Sequence, residues 1–399
     1  MEYTDPLWQK VLYIYLTPLF RLLHVDKHNL SIWTISVLAA ALEPVPRLIL
    51  GMIALVLLFT KEVLIGGYCV SAYTKGRFYN NSYLETGKTA HLYLNGATPF
   101  DNGYEHGVLM CDEIIHLVNK FKRIAAPIVP KRVLKHIDNK LPHDIKEELR
   151  GLYTAVNEMR PNKLTYNDLL MIQMIPELSN AGCTCYATLV DDKITFGRNM
   201  DWLPLSSAQY TVIVHYSGYC SMVLPGLIGC ITAWRDNYVL AMNVVGGEPE
   251  WNVKGLPSMI VNKMIMTKCY FAENAREYAL NELIPSCSYH LTIVDNAEAS
   301  CFSYTTTKND YDIFSRYLTQ SPDNTLTVLN WTYPDNVDGR YISTARHEKT
   351  KGPPQDVTDV LLKCQNFSTM HSLIYESDIE WISVATNNGF AADMFLDEI

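Results

Sequence analysis

Apolar and polar residues alternate over 185–190 and again over 194–196, with Asp191-Asp192-Lys193 between them, and this period of two predicts a β-hairpin. Short apolar runs bounded by turn residues predict further strands at 210–215, 222–224, 239–243, 289–294 and 326–329. Apolar residues recur with helical spacing over 258–268 and 272–283, and the run Ile114-Ile115-His116-Leu117-Val118 reads as part of a helix entered from a loop. Loops are marked by Pro161-Asn162-Lys163 and Lys351-Gly352-Pro353-Pro354. The periodicity alone gives a mixed α and β chain with no internal repeat.

The strongest hydrophobicity lies near the N-terminus, at 30–42 and 48–59, with Glu43-Pro44-Val45-Pro46-Arg47 between the two runs. A single membrane span needs about twenty apolar residues, and each run is shorter. Two short helices around a proline-rich break suit a re-entrant or interfacial hairpin, so residues 30–70 are expected at a membrane surface. A tilted span over about 47–70 or a buried hairpin are the competing choices. Three regions are expected: 1–78 membrane-associated and helical, 79–182 mostly helical and pro-like, and 183–399 strand-rich and catalytic.

Composition narrows the classes. At 399 residues, 48% hydrophobic and with a formal charge of -9, the chain can bury a large core and has no basic surface for nucleic acid. Its ten cysteines show no CxxC pair, so zinc-type ligation is not expected and disulfide pairing stays open. Sequons at Asn29, Asn80 and Asn366 permit a secretory route.

The candidate chemistry sits on the hairpin. Cys183 precedes its first strand, while Arg198 and Asp201 leave the second strand at the same end. Cleavage before Cys183 would give one residue a thiol nucleophile and a free α-amine, and an α-amine titrates near pH 8, low enough for a general base. Gly182 leaves room for the thiol to approach the preceding carbonyl. Cys185, two residues on, competes for the nucleophile's place, and a buried cysteine on an ordinary hairpin fits the same spacing. Asn243, at the end of the strand after Trp234-Arg235-Asp236-Asn237, could donate to a developing oxyanion or cap a turn.

Cys183-Thr184 followed by Gly197-Arg198-Asn199-Met200-Asp201 resembles the start of the mature catalytic chain in cysteine Ntn hydrolases of the choloylglycine hydrolase and acid ceramidase group. The 182 residues ahead of Cys183 are similar to the long self-released segment of the ceramidase-like branch, as is Glu177 on the approach to the cysteine. Thr327-Val328-Leu329-Asn330-Trp331 and Asp338-Gly339-Arg340 resemble two further stretches of that branch, with Leu329 and Gly339 departing from its pattern. Gly103-Tyr104-Glu105-His106-Gly107 looks like a segment of related acyltransferases, where His106 reads as structural and the glycines as sites of close helix packing.

The resemblance implies an α+β fold, the four-layer αββα Ntn-hydrolase sandwich. It implies Cys183 as nucleophile, Arg198, Asp201 and Arg340 as orienting charges with Arg346 as a rival to Arg340, and Asn243 or Asn330 at the oxyanion. The expected activity is hydrolysis of N-acylated lipids, such as N-acylethanolamines or ceramides, after cleavage between Gly182 and Cys183. No metal or organic cofactor is expected, the cleaved segments would stay associated, and a lysosomal or other endomembrane setting follows from the family. The alternatives are an acyltransferase that passes the thioester's acyl group to an amine, and an inactive membrane-anchored relative.

Overall fold

The computed structural model describes residues 73–395 except 74, 88, 127–128, 179–181, 202–204, 246–251, 253, 330–348, 351, 366–368, 380 and 387–388. The apolar runs at 30–42 and 48–59 therefore lie outside the described residues. Among those described, no helix is long and apolar enough to cross a membrane.

Alternation over residues 182–201 closes the expected hairpin: β4 (Gly182–Val190) pairs antiparallel with β5 (Lys193–Asp201). Its turn is two residues long, because Lys193 already pairs with Val190. Asp191 and Asp192 both hold positive φ, at 50° and 60°, the geometry whose twist matches that of the flanking strands. A six-stranded sheet grows around this hairpin in the order β13 (Thr325–Leu329), β4, β5, β14 (Thr369–Glu376), β15 (Trp381–Thr386), β16 (Gly389–Phe395).

The second sheet has ten strands. Its order is β1 (Arg77–Tyr79), β2 (Ser82–Glu85), β3 (Ala90–Tyr93), β6 (Val212–Tyr216), β7 (Tyr219–Val223), β8 (Thr232–Arg235), β9 (Tyr238–Val244), β10 (Tyr289–Val294), β11 (Ala299–Thr306), β12 (Tyr311–Tyr317). Neighbours run antiparallel except β3 and β6, which are parallel. Strands β1 to β3, which straddle the boundary between the helical region expected at 1–78 and the mostly helical segment expected at 79–182, thus extend the sheet built by residues after Cys183.

The side chains of Cys185, Ala187, Ile194 and Phe196 on one sheet meet Ile213, Trp234, Val239 and Ala241 on the other in a buried layer between the sheets. Helix α9 (Val357–Cys364) covers the outer face of the smaller sheet against Tyr186 and Ile374. The outer face of the larger sheet is covered by α1 (Pro99–Leu109), α2 (Cys111–Ala125), α3 (Lys131–Lys140), α4 (His143–Met159), α5 (Tyr166–Ile172), the short α6 (Ile175–Leu178), α7 (Ser258–Lys268) and α8 (Ala272–Asn281). This is the αββα sandwich.

Gly103 and Gly107 lie within α1 rather than in the loop ahead of a helix. They are there because α1 and α4 cross closely. A Cβ on Gly103 would meet Glu148 O at 1.9 Å, and one on Gly151 of α4 would meet Phe100 O at 2.0 Å. His106 is fully buried in α1 and accepts from Gly226 N at 3.3 Å through Nε2, while its Nδ1 has no hydrogen-bond partner among the described residues.

Several contacts bind the segment before Cys183 to the one after it. Lys263 of α7 pairs with Glu148 of α4 at 2.5 Å with both side chains buried, and Tyr216 donates to the same carboxylate at 3.0 Å. Burying two charges is tolerable only when both are paired and hydrogen-bonded, so this contact fixes where α4 sits on the sheet. Gln173 adds a donor to Gly226 O at 2.8 Å and an acceptor for Ile228 N at 3.0 Å.

Gly151→Ala tests the helix crossing. Alanine gains about 1 kcal/mol of helix propensity over glycine, but backbone overlap of this size costs about 1–3 kcal/mol or more. A lowered thermal midpoint is expected. An unchanged or raised one would show that the two helices have room to spare.

Candidate active site

Each residue of Gly197-Arg198-Asn199-Met200-Asp201 has a separate task, because strand alternation sends neighbours to opposite faces. Gly197 seats α9: a Cβ there would fall 2.4 Å from Val357 Cγ1 and 2.8 Å from Leu361 Cδ1. Asn199, on the same outer face, donates to Leu361 O at 2.8 Å and accepts from Ser372 Oγ at 2.7 Å. Arg198 points the other way, into the space between the sheets. Met200 pairs with Cys183 across the hairpin, and Asp201 pairs with Gly182.

The Arg198 guanidinium is fully buried. Its Nη1 donates to Ile231 O at 3.0 Å and to Thr232 Oγ1, and its Nη2 donates to Met242 O at 2.6 Å and reaches Cys183 Sγ at 3.6 Å. Among the described residues no carboxylate lies within ion-pair distance of it. Three of its partners are neutral acceptors and the fourth is the Cys183 thiol, while its Nε, also buried, has no hydrogen-bond partner among the described residues.

Strand β14 supplies two residues that sequence reasoning missed. Its pairing with β5 slips between Thr369 and His371, leaving Met370 as a bulge. Thr369 Oγ1 donates to Asp201 Oδ1 at 2.5 Å, and His371 Nε2 lies 3.0 Å from Thr232 Oγ1, the hydroxyl that also meets Arg198. The alternating Thr369-Met370-His371-Ser372-Leu373 stretch could have marked this strand. Nothing local in it marks Thr369 or His371 as neighbours of Asp201 and Arg198.

Asn243 is the last residue but one of β9, with its side chain between the sheets. Its Oδ1 accepts from Cys185 Sγ at 3.2 Å and its Nδ2 donates to Val328 O at 3.0 Å. Burial pushes the Cys185 thiol up to about 12, which makes it a poor nucleophile and a persistent donor. Directly opposite Asn243 in the β9–β10 register stands His290, whose Nδ1 lies 2.8 Å from Ser303 Oγ.

Of the sequence-predicted site residues, Cys183 and Arg198 meet near the open end of the β4–β5 hairpin, Asp201 pairs there with Gly182, and Asn243 reaches Cys185 two residues along β4. Asn330, Arg340 and the rival Arg346 lie outside the described residues, although β13 carries the chain up to Leu329, the residue before Asn330. Glu177 is buried and accepts from Ser258 N at 2.5 Å and Ser258 Oγ at 2.8 Å, so it holds the start of α7. All nine described cysteines are buried and unbridged. Among the described residues no group of three or more His, Cys, Asp or Glu is arranged to hold a metal ion.

Comparison with known proteins places residues 189–320, about a third of the chain, in similarity to the family described as acyl-coenzyme A:6-aminopenicillanic acid acyl-transferase. That family has an Ntn-hydrolase-type fold, in agreement with the two sheets and their helical covers. The matched stretch contains Arg198, Asp201 and Asn243 and begins after Cys183. No curated protein matches the chain.

The buried imidazoles set a pH dependence. Burial holds His106 and His290 down at about 3, and burial with the nearby Arg198 charge holds His371 well below its usual range. Below about pH 6.5 the unfolded chain takes up protons that these folded imidazoles refuse, so stability falls with pH by up to about 1.4 kcal/mol per unit for each group. Glu177, raised by burial, works in the opposite direction as a single group. The urea midpoint is expected to be lower at pH 5 than at pH 7, and an equal or higher midpoint at pH 5 would contradict the burial of neutral histidines.

Proposed function

We propose that the chain is a self-processing N-terminal-cysteine amidohydrolase. The single observation that carries this reading is the placement of Cys183 Sγ 3.6 Å from the buried Arg198 guanidinium, with Gly182 paired opposite Asp201. Attack of the Cys183 thiol on the Gly182 carbonyl would shift the acyl chain from nitrogen to sulfur, and water would then release the segment ending at Gly182. The α-amine freed on Cys183 would emerge where Gly182 now pairs with Asp201.

In the processed enzyme the amine takes the thiol proton and the thiolate adds to an amide carbonyl. The negative oxygen of the tetrahedral adduct is held by Asn243, with Asn330 as a second donor. Collapse breaks the C–N bond, the leaving amine takes the proton back from the ammonium, and a thioester stays on Cys183. Water, deprotonated by the same α-amine, then frees the acid and restores the thiol. Arg198 compensates the thiolate throughout, and Asp201, fixed by Thr369, holds the α-ammonium. The proposed substrates are N-acylated lipids, a class supported by the resemblance to ceramidase-like enzymes and by the apolar stretches at 30–42 and 48–59, which suit a lipid surface.

A second reading is supported by the similarity to an acyltransferase family over residues 189–320. In it the thioester passes its acyl group to an amine instead of water, with the same residues in the same roles.

Wild-type protein and its Cys183→Ala variant, incubated at neutral and mildly acidic pH, should part on a denaturing gel. Wild type is expected to give a fragment whose N-terminal sequence begins at Cys183, while the variant stays whole. Two intact chains under every condition would end the free-amine mechanism. With processed enzyme and an N-acylethanolamine, added primary amines should leave free fatty acid as the main product, and a dominant new amide would establish the transferase instead.

A further inference from the structure

Two thiols stand on the same face of β4, two residues apart, and only Cys183 reaches the Arg198 guanidinium within hydrogen-bond distance. The other, Cys185, is buried in the layer between the sheets with its Sγ 3.2 Å from Asn243 Oδ1. The opposite end of that carboxamide is fixed by the backbone. Val328 O can only accept, so the amide nitrogen must face it, at 3.0 Å. Turning the amide over would set two acceptor oxygens against each other. The carbonyl end is thereby committed to Cys185, and the group that meets it there must donate.

The amide nitrogen carries two hydrogens, and Val328 O takes one. The second has no partner among the described residues. It is held on a strand whose preceding carbonyl, Met242 O, is gripped by the same guanidinium that touches Cys183 Sγ. The thiol and the spare N–H are therefore referenced to one rigid group.

We propose that Cys185 is a positioning residue: its S–H, donated to Asn243 Oδ1, locks the carboxamide in the orientation that presents its second N–H to the oxyanion formed at Cys183. This deepens the reading of Cys183 as nucleophile and rests on it. Cys185 bonds to no substrate atom. It also explains why a second cysteine so close to the first does not compete with it: burial keeps Cys185 in the S–H form that the lock requires.

The test compares Cys185→Ala, Cys185→Val, Cys185→Ser and Cys183→Ala with wild type, each checked for folding by circular dichroism and thermal midpoint. The assay is hydrolysis of a fluorogenic N-acyl-aminocoumarin. Loss of the donor should lower kcat roughly ten- to a hundred-fold in Cys185→Ala and Cys185→Val, short of the loss seen when an oxyanion donor is removed outright. KM should stay within about twofold, because the ground-state amide does not need the second N–H. Cys185→Ser, whose hydroxyl donates to the same oxygen, should recover most of kcat, and valine, close to cysteine in size, separates lost packing from a lost donor. Wild-type kcat in a folded Cys185→Ala or Cys185→Val, or a serine variant as impaired as valine, would overturn the proposal while a dead Cys183→Ala left the nucleophile reading standing. An active Cys183→Ala would remove that reading and this proposal together.

Discussion

The buried guanidinium of Arg198 is the constraint around which the site is arranged. A charge removed from water between two sheets must be compensated, and the fold meets its two Nη atoms with backbone carbonyls of Ile231 and Met242, the hydroxyl of Thr232 and the thiol of Cys183. These partners come from β8, from the turn before it, from β9 and from β4, so one side chain of the smaller sheet ties down three places on the larger one and the neighbouring strand of its own. The register of β4 on β5 decides whether this works. A slip of one residue would turn Arg198 outward towards α9 and leave Cys183 without its cation. The two-residue turn at Asp191-Asp192 and the packing of Gly197 under α9 both pin that register.

The segment before Cys183 is woven into the same architecture. Strand β3 lies parallel to β6, His106 and Gln173 meet the backbone at Gly226, and the Glu148–Lys263 pair joins α4 to α7. Cutting the chain at Cys183 would break one covalent link and none of these contacts. Two chains held by a shared sheet and a buried ion pair would stay together, which is why the proposed cleavage is compatible with a stable product. The cut would also leave the β4–β5 pairing intact from Cys183 onward.

Much of this was legible in the sequence, and the reason differs from element to element. The hairpin at 182–201, β10 and α7 were readable because their periodicity and their turn or cap signals agree locally. Cys183, Arg198 and Asp201 were readable because the chemistry they share is short-range in the chain, and a hairpin brings its two ends together without reference to anything else. Strands β1–β3, β8, β11, β12 and β14–β16 were not identified. In β12 the alternation is weak and its Phe314 is exposed, while in β8 and β11 nearly every position is buried and alternation disappears. Thr369 and His371 were invisible because their meaning depends on a bulge at Met370 and on a hydroxyl in another sheet. The glycines of α1 were correctly read as packing sites but placed in a loop, since glycine's low helix propensity argues against a helix unless the close crossing with α4 is already known.

The interior carries opposing demands on pH. A nucleophile whose base is an α-amine works best where that amine is unprotonated, near or above neutrality, unless the surroundings lower its basicity. A lysosomal setting, which rests on the ceramidase-like resemblance alone, would instead ask for work in acid. In the proposed processed enzyme Arg198 would pull in the direction acid operation needs, since a nearby cation disfavours the ammonium form of the freed amine. The buried imidazoles pull the other way, because His371 cannot take a proton without setting a second cation beside Arg198. The guanidinium beside the Cys183 thiol thus adds to burial in making His371 intolerant of acid. Any acidic working range for this fold has to be reached with His371 still neutral, which its burial against Thr232 and Arg198 is built to ensure.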